Sequence, residues 1–132
     1  MYVHWGDEYE LVHNAKQRDL AEKLIAAGVD LIIGHHPHVV QDIEVIDGVP
    51  VLYSLGNFIF DQYFSTEVQI GYTVDLVLSS TSQKVNLVPH TAQAKTQPRL
   101  MTETEKIGFH EALAHRSDPT LTNAIKAGLI TF

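Results

Sequence analysis

A helix followed at once by a buried strand is the feature that most constrains this chain. Over residues 14–27 the apolar positions Ala15, Leu20, Ala21, Leu24 and Ile25 recur at helical spacing, with Asn14 placed to cap the start and Gly28 to stop the end. Val29-Asp30-Leu31-Ile32-Ile33 then runs apolar and β-branched up to Gly34, the pattern of a strand buried on both faces. Such a unit commits the chain to layers, a helix lying on a sheet. Downstream the pattern changes to short strands. Residues 39–46 and 49–54 flank the turn signal Asp47-Gly48, and residues 69–78 and 84–90 flank the polar Ser79-Ser80-Thr81-Ser82-Gln83. A helix is expected from the Thr102-Glu103-Thr104-Glu105 capping cluster to near His115, and a short one from Asp118-Pro119 to Ala127. The expected class is α/β, a mixed sheet with helices. The 132 residues suffice for one core, and no linker divides them.

Charge and composition remove several function classes. Nine Lys and Arg stand against 16 Asp and Glu, a net charge of −7, and no basic run could track a phosphate backbone, so nucleic acid is not an expected partner. No stretch approaches the roughly 20 apolar residues of a membrane span, and the first residues lack the basic-then-apolar order of a signal peptide. No targeting signal is therefore expected within this chain. With no cysteine, disulfides and thiolate metal sites are excluded.

Histidine, at eight residues, is the conspicuous abundance. Ile33-Gly34-His35-His36-Pro37-His38-Val39 places three histidines where the predicted strand ends, the position at which open α/β sheets carry their ligand sites. Pro37 restricts itself and His36 to non-helical backbone, and in an extended chain His36 and His38 face the same side about 6.5 Å apart. Both imidazoles could then reach one metal or two adjacent ones, with His35 facing the other way. Imidazole ligands favour a divalent transition metal, zinc, manganese or iron, without choosing among them. His4 follows a second β-prone scrap, Met1-Tyr2-Val3, and is expected to join His36 and His38 at the same end of the sheet, leaving an open coordination position. His13, His90, His110 and His115 read as structural or solvated. Gly34 and Gly56 read as tight-turn residues, and Phe58 and Phe60, at period two, as core. Glu8, Asn57 and Asp61 are polar groups beside apolar runs. Each suits a general acid or base or a partner to a ligating histidine, and Asn57 and Asp61 suit turn or capping roles as well.

His4-Trp5-Gly6-Asp7-Glu8-Tyr9, the histidine segment above, and Tyr53-Ser54-Leu55-Gly56-Asn57-Phe58-Ile59-Phe60-Asp61-Gln62 resemble, in order and spacing, successive motifs of the CapA family of poly-γ-glutamate capsule biosynthesis proteins. The resemblance is close over residues 2–62 and general from Gly71 onward. It implies a fold similar to the calcineurin-like metallophosphoesterases, an α/β/β/α sandwich with two metals at its strand ends. This chain would supply the C-terminal half. By this resemblance His4 matches an isolated late histidine and His36 and His38 the terminal His-x-His pair, with His35 an alternative register. The family's earlier motifs have no counterpart here. Residues 1–132 are accordingly expected to be a single domain or a fragment, with an incomplete metal site and an exposed sheet edge prone to self-association.

Two functions follow as expectations. The first is a metal-dependent hydrolase-like or transferase-like protein, with His4, His36 and Glu8 as catalytic groups, acting on polyglutamate or another anionic polymer at the cell envelope or its extracellular face. The second is a non-catalytic scaffold for membrane-bound synthase subunits, with this chain itself inactive. Convergent polar groups in a cleft would favour the first, and an exposed apolar patch the second.

Overall fold

The computed structural model describes residues 1–79, 82–92 and 96–132. Residues 80 and 81 of the predicted Ser79-to-Gln83 turn lie outside them. Its elements run β1 (Tyr2–His4), α1 (Ala15–Ala26), β2 (Ile32–His35), β3 (Ile43–Ile46), β4 (Val49–Leu52), β5 (Ile70–Leu78), β6 (Gln83–Thr91), β7 (Arg99–Leu100), α2 (Glu103–Arg116), α3 (Thr122–Lys126) and β8 (Leu129–Thr131). Among the described residues this is a mixed α/β architecture with two sheets and three α-helices, consistent with part of an α/β sandwich.

The first sheet has the order β1-β2-β4-β3, parallel from β1 through β4 and closed by the antiparallel β3. Its alternation divides the molecule's core in two. Ile32, Ile46, Val51 and Tyr53 pack with Trp5 and Ala21, the last from α1, while Ile43 and Leu52 turn to the other face and join β5, β6, α2 and α3 through Tyr72, Val85, Leu113 and Ile125. Neighbouring Val51 and Leu52 are both fully buried because a central strand carries apolar side chains on both faces. The second sheet is dominated by the long β5–β6 antiparallel pair, nine residues on each strand, with β7 and β8 pairing with β6. The isolated bridge Gly56 to Gly71 joins the residues after β4 to β5 of the second sheet, and a second, Val40 to Leu55, ties those residues to the end of the histidine segment.

The helices begin where their caps place them. Asn14 accepts from the Gln17 amide while the Gln17 side chain returns to the Asn14 backbone, and Thr102 and Glu105 repeat this box at α2. The inward face of α1 differs from the expected one. Leu20 is 40% exposed, and the inward stripe is the buried Gln17 and Ala21 followed by the partly buried Leu24 and Ile25. Gln17 is tolerated inside because its amide donates to Gln41 Oε1 at 2.8 Å, satisfying two buried side chains together.

Several strands are shorter or displaced. The strand expected over 29–33 is Ile32–His35, and of 39–46 only Ile43–Ile46 forms a ladder. Gly34 is a strand residue rather than a turn. A Cβ there would collide with the Tyr53 carbonyl and the Trp5 indole nitrogen, and those two groups hydrogen-bond to each other at 2.8 Å. Asp47 and Gly48 do form the hairpin turn, with φ of 50° and 82° as a two-residue turn of mirror type requires.

Candidate metal centre

The parallel pairing of β1 with β2 sets His4 opposite His35 and carries both chains out at the same end of the first sheet. Beyond it the backbone is not extended. His36 and His38 have φ of 104° and 62°, and Tyr9, whose amide donates to the Pro37 carbonyl at 2.8 Å, has φ of 67°. Left-handed backbone at residues other than glycine costs on the order of 1–3 kcal/mol at each position and persists where surrounding contacts impose it. The expected same-side geometry of a strand is therefore replaced by a folded loop. That loop still brings His36 and His38 together, with ring centroids 5.9 Å apart.

The donor atoms of Glu8, His36 and His38 all lie within 4.8 Å of one another. This set differs from the expected His4, His36 and His38. The His4 ring packs beside that of His36, centroids 4.6 Å apart, but His4 stands outside the group, and Glu8 occupies the third place. Glu8 Oε1 is 3.9 Å from His38 Nε2, with the Glu8 side chain half exposed and that of His38 at 19%. Two imidazoles and one carboxylate within this span suit a divalent transition metal, with further coordination positions open. His35 takes no part in the group. It stacks on Tyr2 at 6.0 Å, and burial, with the neighbouring His4, lowers its pKa.

A second layer surrounds His38. Its Nδ1 is 2.9 Å from Asn57 Oδ1, and the Asn57 amide nitrogen donates to the Val68 carbonyl at 3.0 Å and to Gln62 Oε1 at 3.3 Å. Gln62 in turn donates to the Tyr9 hydroxyl at 2.9 Å. Asn57 is held there by two glycines: Gly56, at φ 76°, passes under the Ile70 carbonyl, and Gly71 leaves room for the Asn57 carbonyl. Of the two readings the sequence allowed Asn57, its side chain takes the one beside a histidine. Asp61 is exposed and outside the group. Phe58 and Phe60 are not core residues. They are 52% and 40% exposed, in a segment without regular structure whose aromatic rings gather on the histidines, Phe58 on His90 and Phe60 on His38. Tyr9 completes this rim, stacked on His38 and edge-on to Phe64. Period two is misleading here because residues 57–66 form no strand.

His13, read as structural or solvated, proves structural. Its backbone amide and Nδ1 both engage Asp42, at 2.9 and 2.8 Å, and its ring stacks on Tyr53 at 3.9 Å. The Tyr53 hydroxyl donates to Glu44, and burial together with that carboxylate raises its pKa far above the usual phenolic range. This network pins the loop before α1 to the sheet, which keeps Glu8 near β2.

With this geometry in place, comparison with known proteins locates the chain. Residues 1–62 match the bacterial capsule synthesis protein family PGA_cap. Over these residues the chain is similar to the CapA proteins. The PGA biosynthesis protein CapA of Bacillus subtilis is 56% identical over 59 residues, covering 45% of this chain and 16% of that protein. The capsule biosynthesis protein CapA of Bacillus anthracis is 49% identical over 60 residues, covering 46% and 15%. A probable polyglutamine synthesis accessory protein of Mycobacterium tuberculosis is 28% identical over 112 residues, 78% of this chain and 30% of that protein. The chain thus spans less than a third of the length of each of these relatives. The matched residues include β1, α1, the first sheet, Glu8, His36, His38 and Asn57. Among the described residues no helix is long and apolar enough to cross a membrane.

Proposed function

We propose that the protein acts in capsule polymer metabolism at the cell envelope, as its CapA relatives are named for, and that Glu8, His36 and His38 hold a divalent transition metal serving a hydrolase-like or transferase-like reaction on an anionic polymer such as poly-γ-glutamate. The observation that carries this reading is the convergence of those three donor groups within 4.8 Å. Charge supports it. Between Lys23 and Lys84 the sequence contains no Lys or Arg, and of the three cations on α1, Lys16, Arg18 and Lys23, Arg18 is engaged by Glu22 and Glu44 and Lys23 by Asp19. A polyanion approaching this acidic half meets repulsion unless a metal supplies the positive charge.

When bound, such a metal polarises a phosphoryl or acyl oxygen and lowers the pKa of coordinated water. The chain's own residues do the rest. Glu8 and the two histidines orient the donor set, Tyr9 and Phe60 shield one side of His38 from water, and His4, exposed beside His36, is free to protonate a leaving group.

One observation favours the second reading, a scaffold for membrane-bound synthase subunits. Phe58, Ile59, Phe60, Tyr63 and Phe64 are all exposed along one segment. Incubating the protein with poly-γ-glutamate and manganese or zinc, and following polymer length, separates the two. Shortening or transfer that disappears in a His36→Ala/His38→Ala variant supports catalysis, whereas unchanged polymer under every metal leaves the scaffold role.

A further inference from the structure

From the hydrogen bonds around Asn57 we infer that this residue is a positioning residue: it fixes His38 in the tautomer protonated at Nδ1, so that Nε2 is the nitrogen presented to the metal cluster. The consequence for metal binding rests on the function proposed above. The tautomer does not.

The argument is one of donors and acceptors. A carbonyl oxygen can only accept, so the Asn57 side-chain atom 3.0 Å from the Val68 carbonyl must be its nitrogen. Reversing the amide would set two oxygens against each other at that distance. The opposite end of the Asn57 amide is therefore the oxygen, which also can only accept, and it lies 2.9 Å from His38 Nδ1. That contact is favourable only if Nδ1 carries the hydrogen. A neutral imidazole protonated at Nδ1 has its lone pair at Nε2, and Nε2 is the atom that faces Glu8 Oε1 at 3.9 Å.

The holder is itself held. Gly56 and Gly71 fix the Asn57 backbone at the bridge between the sheets, Gln62 Oε1 accepts a second bond from the Asn57 amide, and Gln62 also binds Tyr9, whose ring stacks on His38. His38 thus cannot rotate to offer Nδ1 without breaking the bond to Asn57 and the stack on Tyr9. An outer-shell partner of this kind typically contributes 10- to 100-fold to metal affinity.

The test uses the whole 132-residue chain. Long-range proton–nitrogen NMR correlation of the metal-free protein at neutral to mildly alkaline pH reads the tautomer of His38, assigned by its loss in His38→Ala. The expected result is a hydrogen on Nδ1 in the parent and a shift toward Nε2 in Asn57→Leu, which removes the accepting oxygen. Circular dichroism confirms that each variant is folded. Zinc titration should then show a loss of about 10- to 100-fold in Asn57→Leu. A His38 protonated at Nε2 in the parent, or an unchanged tautomer in folded Asn57→Leu, overturns the inference. If the tautomers behave as expected but the parent binds no zinc, the metal reading fails and the positioning role stands.

Discussion

Residues 1–62 and the rest of the chain keep their backbones in contrasting ways. The second part is regular in its strands and helices, with Thr96 the one left-handed non-glycine residue among those described there. β5 and β6 pair through nine consecutive positions, α2 starts on a complete capping box, and Leu113, Ile125 and Ile130 are fully buried where the helices meet the sheets. The first part has short strands and places Tyr9, His36 and His38 in left-handed backbone beside one another. It also exposes aromatic side chains around those histidines. Regularity concentrated in one part and strain in the other fits a support carrying the proposed site. The family match falls on the strained part.

The largest effect should come from the close packing that carries the strained loop. Gly34→Val must displace the Tyr53 carbonyl and the Trp5 indole, and should destabilise the chain by about 3 kcal/mol or more in urea unfolding, or abolish folding. A change below about 1 kcal/mol would mean that this contact is not needed to hold the loop. Leu113→Ala, deep in the regular part, should cost about 3 kcal/mol through the cavity it leaves, while zinc affinity of the folded fraction stays unchanged. Altered affinity would show that the two parts are coupled.

Much of the regular structure in both parts was legible in the sequence because its signals are local. Asn14, Thr102 and Glu105 cap helices by contacts three residues away, and Asp47-Gly48 makes its turn from its own backbone preferences. What the sequence concealed depends on distant partners. Leu20 lost its inward place to Gln17 because Gln41 satisfies that amide, and Gly34 is a glycine because Trp5 and Tyr53 meet across it. The histidine segment supplied two of the three donors in the candidate site, yet its folded shape comes from Tyr9 reaching Pro37 and Asn57 reaching His38. No period in the sequence encodes those contacts. Phe58 and Phe60 misled for the same reason, since alternation implies a strand only where a neighbour exists to pair with. The short strands β7 and β8 were not expected at all, as two or three residues carry no period.

Smaller effects probe the caps. Thr102→Ala should cost about 1 kcal/mol by leaving the start of α2 without its side-chain acceptor, readable in thermal unfolding. Glu105 adds a pH signature. Its hydrogen bonds to Arg99 and to Thr102 lower its pKa from 4.5 to about 2. A carboxylate depressed on folding contributes stability that is full above the unfolded value and is lost as pH falls through the folded one. Glu105→Gln should therefore flatten a small part of the acid dependence between about 4.5 and 2, with little change in that slope at neutral pH. An unchanged acid limb would place the pair among exposed ion pairs of no consequence.

The central claim, that the strained loops of the first part build a metal centre from Glu8, His36 and His38, is tested most directly by calorimetric titration of zinc into the parent chain and into His36→Ala/His38→Ala. The account predicts one zinc per parent chain, affinity falling on acidification because protonated rings cannot ligate, and a loss of at least about 100-fold in the double variant while its fold persists. Zinc binding of equal strength in parent and double variant, or no binding to the folded parent, would contradict it.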